Sequence, residues 1–281
     1  MYTLLREDQP PTRVLVMHLR GWIDAGSAAA MAMDAIAGQL ELEPLAVFDD
    51  DELIDYRSRR PTMRLDDGLL TELEWPAITL DGGRAVQRNV LVLRGAEPDR
   101  HWRSFATSVV DLAEQHGVQR ILGLGAFPGP APHTRPTQVV STASSRELAD
   151  AIGHNDQRME VPSGVQAAIE VEAAARGIEA ATIWAPVPHY VATMDFPGAS
   201  AALVEAVALH GGLELDAGTL HEAAAVARER IDGLIAANPD HLEMLRALEA
   251  RAEEMEANRS MDVPDADALA AEIEDFLRSE D

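Results

Sequence analysis

Apolar residues fall into two alternating patterns along the first 212 residues. Short unbroken runs, of which Arg13-Val14-Leu15-Val16-Met17-His18-Leu19 is the clearest, have no polar face and read as strands buried on both sides. Residues 44–48, 90–93, 120–126 and 181–185 read the same way. Between them lie helical patterns. The Ala-rich stretch 25–40 follows Asp24, a plausible N-cap, and 101–116 keeps Phe105, Val109, Leu112 and Ala113 on one face before stopping at Gly117. A further helix is predicted over 164–176, ending at Gly177. The polar, β-leaning stretch 62–80 carries Asp66-Asp67-Gly68 between two alternating runs, the signal of a hairpin. Strands separated by helices predict an α/β domain with a mainly parallel sheet and helices on both faces.

From about residue 213 the pattern becomes helical throughout. Leu242, Leu245, Leu248, Ala252 and Met255 recur at three- and four-residue steps, as do Leu269, Ile273, Phe276 and Leu277. Asn238-Pro239 reads as an N-cap followed by Pro at the first helical position, so the stretch is expected to break there. This segment holds 6 Arg and 19 Asp+Glu, a net −13. The expected organisation is therefore an α/β core over 1–212 and an acidic helical extension over 213–281, packed along or beyond the sheet.

Charge and composition narrow the function. The 281 residues carry 23 basic against 48 acidic side chains, net −25, which repels phosphate backbones and anionic headgroups; neither nucleic acid nor membrane is expected as a partner. All 23 basic residues are Arg, and there is no Cys. Schiff-base and P-loop lysines, thiol nucleophiles, disulfides and thiolate metal sites are thereby excluded. The start of the chain has no basic stretch leading into an apolar one, and no run approaches the roughly 18 apolar residues of a membrane helix, so a cytoplasmic protein is expected.

Catalytic motifs are missing in the same way. Gly123-Leu124-Gly125 follows a strand, but Phe127-Pro128-Gly129-Pro130 stands where a dinucleotide-binding helix would begin, so close packing explains these glycines better. No Ser has the flanking glycines of a nucleophile elbow, and the His residues form no metal-binding pair on a helix. Asp49-Asp50-Asp51-Glu52 reads as a helix start whose acids favour the positive end of the dipole. No cofactor, metal or catalytic residue set is expected.

Three stretches stand out instead, each just past the carboxyl end of a predicted strand, where open parallel sheets form ligand crevices. In Gly21-Trp22-Ile23-Asp24-Ala25-Gly26, Asp24 caps a helix, or its neighbours Gly26 and Ser27 offer backbone N–H groups to an anion. In Phe127-Pro128-Gly129-Pro130-Ala131-Pro132-His133-Thr134-Arg135-Pro136, four prolines stiffen a loop that presents His133, Thr134 and Arg135. In Trp184-Ala185-Pro186-Val187-Pro188-His189-Tyr190, His189 and Tyr190 join a Trp at the strand end. If these side chains converge, Arg135 would grip a phosphate or carboxylate while His133 or His189 exchanges a proton, as in a phosphorylase- or hydrolase-like enzyme.

These stretches, with His101-Trp102, Pro162-Ser163-Gly164 and Val109-Val110-Asp111-Leu112-Ala113, resemble the proteasome-assembly-chaperone family of the second type, in its actinobacterial branch. The resemblance covers roughly residues 13–211. It implies a three-layer α/β/α domain similar to the nucleoside-phosphorylase and hydrolase-like fold, in a homo-oligomer, a trimer or larger. It also implies a non-enzymatic assembly or scaffold protein acting on proteasome α-subunits, as eukaryotic relatives do. Some proteasome-binding chaperones end in a hydrophobic-Tyr-X tail. The last residues here, Phe276-Leu277-Arg278-Ser279-Glu280-Asp281, hold no Tyr, so contact through a sheet edge or the acidic helices is implied.

Overall fold

The computed structural model describes residues 1–6, 8–86, 88–154 and 158–261. Eight strands form one sheet whose centre is parallel and whose flanks are not. The parallel strands are β2 (Val14–Arg20), β7 (Arg88–Ala96), β8 (Arg120–Gly129) and β10 (Glu179–Pro188). Antiparallel strands β6 (Ile78–Ala85), β3 (Glu43–Phe48) and β1 (Tyr2–Leu4) extend one side, and β9 (Val140–Ala143) closes the other, giving the order β1-β3-β6-β7-β2-β8-β10-β9.

The unbroken apolar runs have a direct cause. Along β2, Val14 and Val16 face one helical layer while Leu15 and Met17 face the other, and the same split separates Val90 and Val92 from Leu91 and Leu93. The first layer contains α1 (Ala28–Gly38) and α6 (Pro197–Gly211), joined by Ile231 and Ile235 of α7 (Gly218–Ala236) and Leu245 of α8 (Pro239–Met261). The second contains α3 (Trp102–Gln115) and α5 (Val165–Ala175) around Phe105, Val109 and Ile169. The three-layer α/β/α architecture is thus present. The acidic helices α7 and α8 break at Asn238-Pro239 and share the apolar cluster of α1 and α6; the second apolar pattern of the extension, Leu269 to Leu277, lies outside the described residues.

Some elements match the sequence reading and others differ from it in detail. The helix predicted from residue 25 begins as a 3-10 turn, Ala25–Ser27, because Gly26 takes a positive φ of 63°. The acidic run is the start of a short helix, α2 (Asp50–Leu53), with the Asp49 carboxylate accepting from the Glu52 N–H. The paired glycines serve packing: a Cβ on Gly123 would lie 2.9 Å from Gln166 and one on Gly125 within 3.0 Å of the Trp184 ring. Strands β1, β6 and β9 and the short helix α4 (Arg146–Ile152) have patterns too brief or too mixed to be read from the sequence. The hairpin forms as β4 (Thr62–Asp66) and β5 (Leu69–Glu74), with Asp67 and Gly68 at φ 48° and 82°, but it is a separate two-stranded sheet whose strand residues are all exposed.

Candidate functional site

All three candidate stretches lie at the carboxyl end of the parallel strands, and each is tied down by a different part of the chain. Asp24 is held beside β8 by a bridge to Ala126. Its Oδ1 accepts the N–H of Ala29 at 2.8 Å and its Oδ2 that of Ala30 at 3.0 Å, so the carboxylate sits where an anion would at the start of α1. Gly26 donates its N–H to the Ala192 carbonyl and accepts from the Phe196 N–H, and a Cβ there would lie 2.8 Å from that of Phe196. Ser27 is exposed, with its own N–H turned back to the Asp24 carbonyl. Of the two roles open to Asp24 in the sequence, capping is the one its contacts show.

Beneath Asp24 lies His18 of β2, which sequence reading treated only as part of a strand. Its Nδ1 is 3.3 Å from the Leu124 carbonyl, and its buried Nε2, 3.8 Å from Asp24 Oδ2, has no hydrogen-bond partner among the described residues. Burial lowers the His18 pKa from 6.5, against a smaller opposing pull from Asp24, so the imidazole is neutral. Nearby, buried Glu97 accepts the N–H of Val165 at 2.7 Å and caps α5, which explains why Gly164 approaches so closely.

The second and third stretches do meet. The imidazole of His133 is fully enclosed: Tyr190 Oη lies 2.7 Å from Nδ1 and also accepts the His133 backbone N–H at 2.9 Å, while Asp232 of α7 lies 2.9 Å from Nε2. The network is satisfied when Nε2–H donates to Asp232 and the Tyr190 hydroxyl donates to Nδ1. Burial raises the Tyr190 pKa, which keeps that hydroxyl protonated. Thr134 donates to Glu249 of α8 at 2.6 Å, and Arg135 pairs with Glu253 one turn further along the same helix. His189 is exposed and meets the Tyr190 ring edge-on, centroids 5.4 Å apart.

The stiff proline loop therefore clasps the acidic helices. Among the described residues, no hydrogen bond or ion pair joins Asp24 to His133, Arg135 or His189, and no three His, Asp or Glu side chains converge to hold a metal ion. Asp232, Glu249 and Glu253 were invisible to sequence reasoning because three acids among 19 in the extension carry no mark of which loop they face.

The model of the PAC2 family matches residues 18–235, from His18 through the end of the region that supplies Asp232. The chain belongs to the PAC2 family. Among solved structures, a Mycobacterium tuberculosis protein of unknown function has a TM-score of 0.84 at 35% identity, over 91% of each chain. A proteasome-assembly chaperone homologue from Mycobacterium tuberculosis has a TM-score of 0.76 at 32% identity, over 83% of this chain and 99% of its own. An archaeal proteasome activator from Pyrococcus furiosus, 15% identical with a TM-score of 0.65, shares the fold. No curated protein matches the sequence.

In this PAC2 domain the cap has a measurable value. Asp24→Ala is expected to cost about 0.5–2 kcal/mol, the range for losing a helix cap, and a urea midpoint unchanged from wild type would remove the role assigned to Asp24. No helix among the described residues is long and apolar enough to cross a membrane.

Proposed function

We propose that this PAC2-family chain is a non-enzymatic, self-associating assembly factor for proteasome-related complexes. One observation carries the reading at the site: His133, Thr134 and Arg135, the groups best suited to hold a ligand, are occupied by the chain's own Asp232, Glu249 and Glu253. A phosphorylase-like crevice would instead need Asp24, His133, Arg135 and His189 around one cavity, and their partners divide them between separate assemblies. The relative named as a proteasome-assembly chaperone homologue, 32% identical over 83% of this chain, supports the choice of client.

Native mass spectrometry of the protein alone and with proteasome α-subunits of the same organism tests this. A defined mixed complex that disappears as the α-ring matures is the expected result. A protein that ignores α-subunits but retains a small molecule from the cell would move the function back to the strand ends.

A further inference from the structure

The hairpin β4–β5 is amphipathic, and among the described residues nothing covers its apolar face. The register pairs Met63 with Leu73 and Leu65 with Leu70, which puts these four side chains on one face, all at least 41% exposed. The alternate pair Arg64 and Glu72 lies on the other face, where Arg64 also reaches Glu74, at 3.1 and 3.2 Å. On this face Arg64, Glu72 and Glu74 satisfy one another, and nearer the tip Asp66 stands opposite Leu69, a single exposed apolar residue. A two-stranded sheet is marginal in water unless something packs on it, so the apolar face calls for an occupant.

The charge pattern identifies which. Residues 57–75 hold four Arg (57, 59, 60, 64) and four acids (66, 67, 72, 74), a net of zero within a chain of net −25. It is a surface on which two copies of this chain can approach without the repulsion that the acidic helices impose. The charges are also polarised. Exposed Arg57 and Arg60 lie at the root, exposed Asp66 and Asp67 lie at the tip, and none of the four has an ion-pair partner among the described residues. Root and tip are roughly 20 Å apart at about 3.4 Å per residue. An antiparallel two-fold pairing brings the acidic tip of each hairpin over the basic root of the other, with the four apolar residues of each face between them. A parallel pairing would set tip against tip.

We propose that the hairpin is a self-association arm, pairing with the hairpin of a second copy about a two-fold axis. The proposal rests on the self-association in the reading above and not on its choice of client, so binding to α-subunits can fail while the hairpins pair.

Sedimentation and native mass spectrometry of the full chain test it. The wild type is expected at an even multiple of the chain mass. Met63→Ser, Leu65→Ser, Leu70→Ser and Leu73→Ser together disturb no buried residue, and are expected to raise the dissociation constant of that pair by roughly 100-fold or more. Arg57→Glu with Arg60→Glu is expected to weaken pairing, and adding Asp66→Arg with Asp67→Arg to restore it, which no fold defect would mimic. Because the chain has no Cys, a Leu65→Cys variant reports pairing directly by cross-linking to its own copy. A monomeric wild type overturns both this arm and the self-association above. An odd-numbered assembly, or one whose mass the Ser variant leaves unchanged, overturns the arm alone.

Discussion

Replacing Glu170 by Gln is expected to stabilise the fold by about 3 kcal/mol at pH 8, falling below about 1 kcal/mol at pH 5. Glu170 sits on the sheet-facing side of α5, 9% exposed, where Thr182 of β10 donates to its carboxylate and Thr142 of β9 also bonds it. Burial is the dominant effect and pushes its pKa from 4.5 up to about 7, outweighing the two threonines. A raised carboxyl pKa means the folded state binds the proton more tightly than the unfolded chain. Stability from this group is therefore intact below pH 4.5 and is lost as pH climbs to about 7, beyond which the loss is constant. Gln has the same shape, still accepts from Thr182, and never ionises. Denaturant unfolding of both proteins at pH 5, 6 and 8 reads the difference, and two parallel stability curves would sink the assignment. His18 works in the opposite sense. Its pKa is lowered from 6.5 by burial, so protonation favours the unfolded chain and its contribution fades as pH falls below 6.5.

The layers and the position of the site were legible in the sequence because they depend on period and punctuation. Val14 to Leu19 alternates between two cores, and only an all-apolar strand can do that, so the run announces a sheet covered on both faces. Asp67-Gly68 announces a turn that needs two positive φ values. What could not be read is pairing between distant residues. Nothing in the spacing of Glu249 and Glu253 says that they face Thr134 and Arg135, more than 100 positions away. Nor does anything near Glu170 distinguish it from Glu172, a solvent-side acid two residues on that pairs with Arg176. The antiparallel flanks were missed for a related reason. Edge strands such as Tyr2–Leu4 and Val140–Ala143 are three and four residues long and half-exposed, too short to establish a period.

His133→Ala is expected to loosen α7 and α8 while leaving the sheet intact, at a cost of about 2–3 kcal/mol. The imidazole joins the proline loop to Tyr190 and to Asp232 of α7, and it is wholly enclosed. Removing it leaves a cavity, takes the acceptor from the Tyr190 hydroxyl and frees the Asp232 carboxylate. Asp232 is half exposed, so water compensates it; the loss falls mainly on the buried partners. The neighbouring clasps are weaker. Arg135 and Glu253 are 44% and 63% exposed, and Arg135→Gln is expected to change stability by less than about 1 kcal/mol. Hydrogen exchange resolved by peptide separates these cases. In His133→Ala, amides of α7 and α8 should exchange faster while those of β2, β8 and β10 keep their protection. A uniform loss of protection would make His133 an ordinary core residue, and no change would mean that Ile231, Ile235 and Leu245 hold the helices without it. The family match reaches residue 235 and so includes Asp232 but not Glu249 or Glu253. The strong half of the clasp thus lies within the shared PAC2 domain, and the weak half lies on α8, beyond it. A partner that competes for the loop would first have to displace Glu249 and Glu253, the two acids whose release costs least.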